Sequence, residues 1–356
     1  YIADEISLTQ DLTLYLGFRY TSYMNLGPAE VLVYAEGTEA SPGNVTDTLN
    51  FSSGQIVKQY SSPEPRISLT YLLGRNNSVK ASYNRLQQNI FMLSNTVAIS
   101  PTDQWKLSDY HLRPPRVDQL SFGYYQDMPG QDINASVEIY YKKLRDVVEY
   151  KDGANFITSP YTETQVVQGD QDAYGLELMF RKNSGKLTGW LAYSYSRSMM
   201  LFDSDIPGES INNGLRYPSN YDRPHNLSLV MNYKATRRVS FSSTLEYITG
   251  RPVTYPISIY YLYGVEYLDY SNRNQYRIPD YFRMDLSVNL EGNLKKRKVA
   301  HSFWMLSIYN LTGRNNAYSV YFRNESNRIH GYKLSIFGRP VVTLSWNFKF
   351  GNYATE

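Results

Sequence analysis

The stretch "VVTLSWNFKF" at residues 341–350 carries the strongest indication of the fold. Val342, Leu344, Trp346, Phe348 and Phe350 occupy every second position, and polar side chains fill the gaps. Successive side chains of a β-strand point to opposite faces, so this period of two gives a strand with one apolar and one polar face. A protein core or lipid could receive the apolar face, and this strand alone leaves both open.

The same alternation recurs along the chain. It is clear in "LTLYLGFRY" at 12–20, in "NLSLVMNY" at 226–233 and in "FRMDLSVNL" at 282–290. A helix would instead repeat its apolar positions every three or four residues. The pattern therefore predicts an all-β protein.

The composition favours a membrane interface and argues against several other classes. Tyrosine is abundant, with 35 residues against 14 Phe and 4 Trp, and its ring suits a place where one end is dry and the other wet. No apolar stretch approaches the length of about 18 residues that a transmembrane helix needs. The formal charge of +3 is too small to indicate a nucleic-acid partner.

The chain offers no pattern typical of a cofactor, metal or catalytic site. Cysteine is absent, which excludes disulfides and Cys-ligated metals. The four histidines, His111, His225, His301 and His330, are too dispersed for a ligand cluster. No phosphate-binding glycine loop or catalytic triad spacing is recognisable. We therefore predict a protein that is not an enzyme and binds no metal or cofactor.

Short and long connections alternate between the predicted strands. The short turns lie near 10 and at 74–77, 127–132, 182–186 and 234–238, and the long connections cover roughly 27–63, 93–116, 151–168, 203–222, 250–279 and 322–332. Outer-membrane barrels place short turns at the periplasmic end and long loops at the outer end. This alternation predicts a transmembrane antiparallel β-barrel in meander order.

The pattern contains about thirteen strands: 1–9, 12–26, 64–73, 78–92, 117–126, 133–150, 169–182, 187–202, 224–234, 238–249, 280–291, 301–321 and 333–350. In a meander of thirteen, the first and last strands run in the same direction and cannot pair antiparallel with each other. Bacterial single-chain barrels have even strand numbers, so an odd number of strands is expected to lie upstream of residue 1. We interpret residues 1–350 as the C-terminal portion of a barrel and 351–356 as a short tail.

The side chains opposite the lipid-facing positions are predicted to line the lumen. The candidates are Arg19, Glu138, Glu177, Arg181, Glu246, Arg283 and Asp285. Charges in a dry core are costly unless they are paired. A charged lumen therefore implies water, or a polar plug that pairs with the charges.

Several stretches resemble TonB-dependent outer-membrane receptors. "YIADEISLTQDLTLYLGFRY" at 1–20 resembles a signature of that family, and the stretches at 64–88 and 221–256 resemble its later barrel strands in Bacteroidota. "SWNFKF" at 345–350 resembles the terminal assembly signal of outer-membrane barrels.

The resemblance implies a 22-stranded barrel that surrounds an N-terminal plug, in the outer membrane of a Gram-negative bacterium. The implied partners are outer-membrane lipid, the missing N-terminal strands and plug of the same protein, and TonB through the missing N-terminal region. The present sequence contains neither the plug nor a TonB-coupling box, so no residue here is assigned to coupling. The six residues after Phe350 depart from a terminal aromatic residue.

The long connection at 250–279 is rich in tyrosine. Rigid amphipathic aromatic rings beside hydrogen-bonding groups suit the capture of a ligand or protein partner. The predicted binding residues are Tyr260, Tyr261, Tyr263, Tyr267 and Tyr270. We expect them to line the outer entrance and to stack on a ligand or on a surface lipoprotein that acts as a lid.

Two functions remain open at this point. The first is TonB-dependent import of a scarce, bulky nutrient such as a glycan, peptide, siderophore or cobalamin-like molecule. The second is a barrel that does not transport actively: a porin, an adhesin or a structural subunit of an outer-membrane assembly. A plug preceded by a coupling box would favour the importer.

Overall fold

The structure is a computed structural model that describes residues 1–93, 104–154, 156, 159, 161–292, 300–325 and 328–350. The predicted tail at 351–356 lies outside these residues. Within them the chain forms strands joined by turns and three short 3₁₀ helices, at Pro42–Asn44, Thr162–Thr164 and Asn212–Gly214.

The strands, in chain order, are β1 Ile2–Ser7, β2 Leu12–Leu26, β3 Ala29–Tyr34, β4 Val45–Phe51, β5 Ile56–Gly74, β6 Asn77–Gln87, β7 Ile90–Leu93, β8 Gln104–Leu107, β9 Arg116–Met128, β10 Ile133–Tyr150, β11 Val166–Lys182, β12 Leu187–Leu201, β13 Tyr217–Pro218, β14 His225–Lys234, β15 Val239–Ile248, β16 Pro252–Val253, β17 Pro256–Leu262, β18 Val265–Tyr270, β19 Tyr276–Arg277, β20 Tyr281–Glu291, β21 Ala300–Tyr309, β22 Ser319–Glu325, β23 Arg328–Leu334 and β24 Val341–Phe350.

Thirteen of these strands form one continuous wall. Their order is β1-β2-β5-β6-β9-β10-β11-β12-β14-β15-β20-β21-β24, and all strands that are adjacent in this order pair antiparallel, with β13 added beside β12. The predicted meander of thirteen strands is confirmed. In the described part of the chain, β1 and β24 pair on one side only, so the wall is open.

Four predicted strand boundaries were wrong by five residues or more. The strand predicted at 78–92 ends at Gln87, and the strand predicted at 333–350 begins at Val341. The strand predicted at 64–73 begins at Ile56, because Pro63 and Pro65 lie where β5 pairs with β2 but not yet with β6. A proline can occupy such an edge because no second neighbour needs its missing N–H.

The strand predicted at 301–321 ends at Tyr309. Asn310 and Gly313 then turn the chain with positive φ, and the alternation continues in the separate hairpin β22–β23. Period-two alternation persists across a turn from one strand to the next, so it could not locate this break.

The long connections fold as hairpins of their own. The hairpins β3–β4, β7–β8, β17–β18 and β22–β23 each pair only within themselves, as does the small ladder β16–β19. All of them connect strands at the same end of the wall. We call this end, with its hairpins and connections, the rim.

Cross-strand register separates the two faces of the wall. One row of directly opposed residues is entirely apolar or aromatic: Val137, Leu178, Tyr193, Leu227, Tyr247 and Phe282. The neighbouring row on the other face runs through Glu138, Glu177, Ser194 and Asn226. Arg283 and Asp285 alternate with Met284 and Leu286, as predicted, and Leu344 on the apolar face is 66% exposed.

The two buried apolar clusters of the described residues both lie at the rim. The first consists of Val147, Val167, Met200, Phe202, Ile211 and Tyr217. The second consists of Phe91, Leu93, Leu112, Tyr150 and Val166. The wall itself is one sheet thick, so the apolar burial that orders the rim comes from connections packing on strand ends.

Tyrosine rings cover glycines on the polar face. Tyr140 lies directly opposite Gly175, and a Cβ on Gly175 would lie 2.8 Å from the ring of Tyr140. Tyr125 covers Gly123 from two residues along the same strand, and a Cβ on Gly123 would lie 2.8 Å from the Tyr125 hydroxyl oxygen. Glycine is needed at these positions because the ring occupies the space of a side chain.

We predict that Gly175→Val destabilises the folded barrel by about 1–3 kcal/mol, because the valine displaces the Tyr140 ring. The measurement is the temperature at which the full-length protein loses its heat-resistant folded form on gel electrophoresis. Combining Gly175→Val with Tyr140→Ala should restore part of the loss, since the ring is then absent. Losses that simply add in the double variant would contradict the packing relation.

Candidate functional site

A polar cavity of about 700 Å³ lies at the rim. Four connecting segments form its walls: 149–154, 210–220, 251–254 and 270–274. Amide, hydroxyl and charged side chains dominate the lining, including Asn212, Asn213, Asn220, Asn272 and Asn274. Such a surface suits a hydrophilic ligand.

Arg273 joins three of these segments. Its guanidinium donates to Glu149 Oε1 at 3.2 Å, to Asp152 Oδ1 at 2.6 Å and to the carbonyl oxygen of Tyr150 at 3.1 Å. Its backbone N–H donates to Asn212 Oδ1 at 2.7 Å. One residue, through its guanidinium and its backbone N–H, therefore fixes the 270–274 segment against both neighbouring connections.

Glu149 is a buried carboxylate that depends on Arg273. Burial raises the pKa of Glu149, and the positive charge of Arg273 opposes that shift. The Tyr150 N–H also donates to Glu149 Oε1, at 3.0 Å. A buried carboxylate without its cation would be strongly unfavourable, so the pair acts as an internal tie of the rim.

Asp222 is a second buried carboxylate that holds segments of the rim together. Its Oδ1 accepts hydrogen bonds from the Ser198 N–H at 2.7 Å and from Arg197 Nε at 3.2 Å, and its Oδ2 contacts Arg277. Arg277 also donates to the Asp222 carbonyl at 2.7 Å and to the Gly250 carbonyl at 2.9 Å. The fully buried carboxylate thus holds the base of the 250–280 connection to β12.

Asparagine shapes the cavity wall through its backbone as well as its side chain. Asn212, Asn213 and Asn274 all have positive φ. Asparagine tolerates this left-handed conformation better than most residues. Asn274 also donates from Nδ2 to the Pro218 carbonyl at 2.9 Å and to Asn220 Oδ1 at 2.8 Å. The backbone conformation of the loops thus accounts in part for the presence of asparagine at these positions.

The five predicted binding tyrosines belong to hairpin β17–β18. Tyr260 and Tyr267 oppose each other and stack, with ring centroids 5.5 Å apart. Tyr261 opposes Glu266 on the other face, and Tyr263 lies at the tip with 98% of its surface exposed. Tyr270 is the member of the five that lines the cavity. The segment expected to be a loop is therefore largely a two-stranded ribbon.

The predicted lumen residues lie on the polar face. Some of them form pairs of opposite charge, and others face a residue of the same charge. Arg19 approaches Glu64 at 3.9 Å, and Arg283 contacts Glu246 at 3.4 Å and Asp285 at 3.1 Å. Glu138 and Glu177 instead oppose each other directly, as like charges.

Arg181 opposes Trp190, the residue that breaks the alternation of its strand. Because Arg181 belongs to the polar face, this aromatic ring lies on that face rather than with the apolar rows.

Sequence reasoning missed Glu149, Asp222, Arg251, Arg273 and Arg277 as parts of one site. Arg273 and Glu149 are 124 residues apart in the chain. The one available signal was local: charged and amide residues cluster in "SNRNQYR" at 271–277 and in "INNG" at 211–214. Their partners could not be identified before the strand order placed these connections together.

The described residues contain no group of three or more His, Asp or Glu side chains arranged to hold a metal ion. No helix in the same part of the chain has the length and apolarity to cross a membrane.

We predict that Arg273→Ala lowers the free energy of local unfolding of the rim by about 3 kcal/mol, because it leaves Glu149 buried without a cation. Amide hydrogen exchange of the full-length protein should accelerate at 149–154 and 270–275 and stay unchanged in β14 and β15. Adding Glu149→Gln should recover part of the protection, since a neutral amide removes the uncompensated charge. Unchanged exchange at 149–154 in Arg273→Ala would contradict the role of this tie.

A family model described as "TonB dependent receptor-like, beta-barrel" matches residues 1–315. A search of curated proteins finds no match to this chain.

Solved structures share the fold at low sequence identity. The ferric yersiniabactin uptake receptor FyuA from Yersinia pestis superposes with a TM-score of 0.57 at 15% identity, over 97% of this chain and 44% of its own. The siderophore receptor PiuA from Acinetobacter baumannii gives 0.56 at 17% identity, over 98% and 42%. The ferric-catecholate import receptor Fiu from E. coli K12, in its closed form, gives 0.54 at 16% identity, over 98% and 44%.

The present chain thus spans less than half the length of each of these receptors. At such identities the likeness shows the fold alone, whereas the family model covers most of the chain. The chain belongs to the TonB-dependent receptor β-barrel family.

Proposed function

We propose that this chain is the C-terminal part of an outer-membrane receptor that imports a bulky, polar nutrient with energy delivered through TonB. The observation that carries the proposal is the polar cavity at the rim of a wall whose family is that of TonB-dependent receptors. The solved structures of this fold include a siderophore receptor and a ferric-catecholate import receptor, but their ligands do not identify the ligand of this chain.

The protein lies in the outer membrane, and the two faces of its wall fit that environment. Exposed apolar side chains such as Leu306, Val342 and Leu344 lie on one face, where lipid can cover them. Trp304 and Trp346 stack on the same face, with centroids 5.2 Å apart. The long connections at the rim then face the outside of the cell, as in other barrels of this kind.

In this arrangement the polar face lines the lumen. Arg19, Glu138, Glu177, Arg181, Glu246, Arg283 and Asp285 all belong to it. A water-filled or plugged lumen accommodates these charges, whereas hydrocarbon would not.

Further strands and a plug complete the receptor. Open sheet edges are not tolerated in hydrocarbon because their backbone groups would lack hydrogen-bond partners. We therefore propose that β1 and β24 pair with strands outside residues 1–350. The opposed carboxylates Glu138 and Glu177 then face a cation on the plug. A structure of the intact receptor in which β1 pairs with β24 would contradict this arrangement.

The tyrosine hairpin β17–β18 is proposed to contact the ligand or a lipoprotein lid. Tyr263 at its tip is free of packing, and Tyr261 is exposed beside Glu266. Tyr260 and Tyr267 present a stacked pair, and Tyr270 extends the aromatic surface into the cavity wall. Aromatic rings of this kind provide large contact areas at low entropic cost.

Uptake measurements test the proposed function. A bacterium that carries the full-length receptor as its only route for a labelled nutrient should accumulate that nutrient, and accumulation should stop when TonB is deleted. Accumulation that is independent of TonB and reaches only the external concentration would instead identify a porin, and the proposal would fail.

We predict that replacing Tyr260, Tyr261, Tyr263, Tyr267 and Tyr270 together by Ser weakens ligand or lid binding about tenfold or more. Barrel assembly should be retained, because these residues lie outside the wall. Binding is measured by calorimetry on purified full-length receptor and by co-purification of the lid.

The second rim hairpin provides a matched control. Tyr321 and Tyr332 oppose each other in β22–β23 and stack at 5.4 Å, as Tyr260 and Tyr267 do in β17–β18. Tyr321→Ser with Tyr332→Ser should leave binding unchanged. Equal effects in both hairpins would show that any loosened hairpin impairs the receptor, and equal absence of effect would refute the binding role.

A further inference from the structure

Arg251 differs from the other arginines around the cavity. Arg197, Arg216, Arg273 and Arg277 each contact a carboxylate. Arg251 lines the cavity and is half-buried, but its guanidinium has no hydrogen-bond or ion-pair partner among the described residues. It is therefore a cation that the rim leaves uncompensated.

The backbone around Arg251 is held in place on both sides. The Ile278 N–H donates to the Arg251 carbonyl at 3.1 Å, and Arg277 donates to the carbonyl of Gly250 at 2.9 Å. A Cβ on Gly250 would lie 1.7 Å from the Ile278 carbonyl oxygen, so this close approach requires glycine. Arg251 is thus presented from a fixed backbone.

The surroundings make the charge of Arg251 unfavourable. Burial lowers the pKa of Arg251, and the nearby Arg223 lowers it further. Arg223 also has no carboxylate partner among the described residues. A half-buried guanidinium that has no carboxylate partner and is repelled by a second positive charge attracts an anion, and burial strengthens that attraction relative to water.

The other charged side chains that line the cavity each contact a group of opposite charge. Arg273 contacts Glu149 and Asp152, and Lys151 contacts Glu39 at 2.8 Å. Asn213, Asn272 and Tyr270 also line the cavity, and their side chains make no hydrogen bond to the described residues. They are available to a ligand rich in hydroxyl or amide groups.

We propose that Arg251 binds a carboxylate group of a polar ligand in this cavity. The inference rests on the proposed import function and names the chemistry of its ligand. The cavity volume of about 700 Å³ lies within the range of small-molecule sites, about 300–1,000 Å³. The carboxylate could belong to an acidic oligosaccharide or to the C-terminus of a short peptide.

Binding measurements on purified full-length receptor with two pairs of probes distinguish these two origins of the carboxylate. The first pair is trigalacturonate and its uncharged methyl ester, and the second is a tripeptide and its C-terminal amide. In at least one pair the anion should bind about tenfold more tightly than its neutral counterpart, as expected for a charge-assisted hydrogen bond. The pair that shows the preference identifies the source.

Arg251→Gln should abolish this preference, whereas Arg251→Lys should keep part of it. Arg339→Gln is the matched control, because Arg339 is an exposed arginine outside the cavity lining and should leave the preference intact. Folding of each variant is checked by its heat-resistant band on gel electrophoresis. Should Arg251→Gln fail to fold, loss of part of the preference in Arg251→Lys decides the question.

The outcomes distinguish this inference from the proposed function. No charge preference in either pair, or a preference that survives in Arg251→Gln, overturns the role of Arg251. The first result also follows if a carboxylate of the plug occupies Arg251 in the intact receptor. TonB-dependent uptake would then still support import. An Arg251-dependent preference without TonB-dependent uptake would support the site and refute import.

Discussion

The need to pair every backbone N–H and C=O group inside lipid governs this structure. Hydrocarbon supplies no hydrogen-bond partner, so a membrane-spanning sheet must continue laterally from strand to strand. The unbroken antiparallel order from β1 to β24 follows this constraint, and so does the simple meander, in which each wall strand pairs with its neighbours along the chain. The two open edges are the places where the constraint is not met by the described residues alone.

A wall that is one sheet thick contacts a different environment on each face, and it has no interior of its own. Each strand therefore alternates between an apolar and a polar face, and the buried apolar clusters form where connections pack on strand ends. Both buried apolar clusters and the buried carboxylates Glu149 and Asp222 lie at the rim. The connections behave like a small folded layer on top of the wall, stabilised by packing and ion pairs.

The fold was largely predictable from sequence because alternation is a local property. The rows of apolar residues at 12–20 and 282–290 fixed which face each side chain occupies. Breaks between strands were harder to place, since Asn310 interrupts a pattern that resumes in β22. The cavity could not be predicted, because Arg273 and Glu149 lie 124 residues apart in the chain and the pairing of the strands between them brings the two together. The tyrosine-rich segment was recognisable by composition, yet its ribbon geometry depends on pairing that composition does not reveal.

The ion pairs of the rim also explain why an arginine without a carboxylate partner in the cavity lining is informative. Removing either partner of a buried pair costs several kcal/mol, because the remaining charge is left uncompensated. Arg273 and Arg277 avoid this cost through Glu149 and Asp222, and they hold the cavity walls without help from a ligand. The walls are therefore in place before binding, and a ligand loses less free energy in ordering them. Arg251 lies within these ordered walls, so its charge is held ready for an anion and takes no part in supporting the rim.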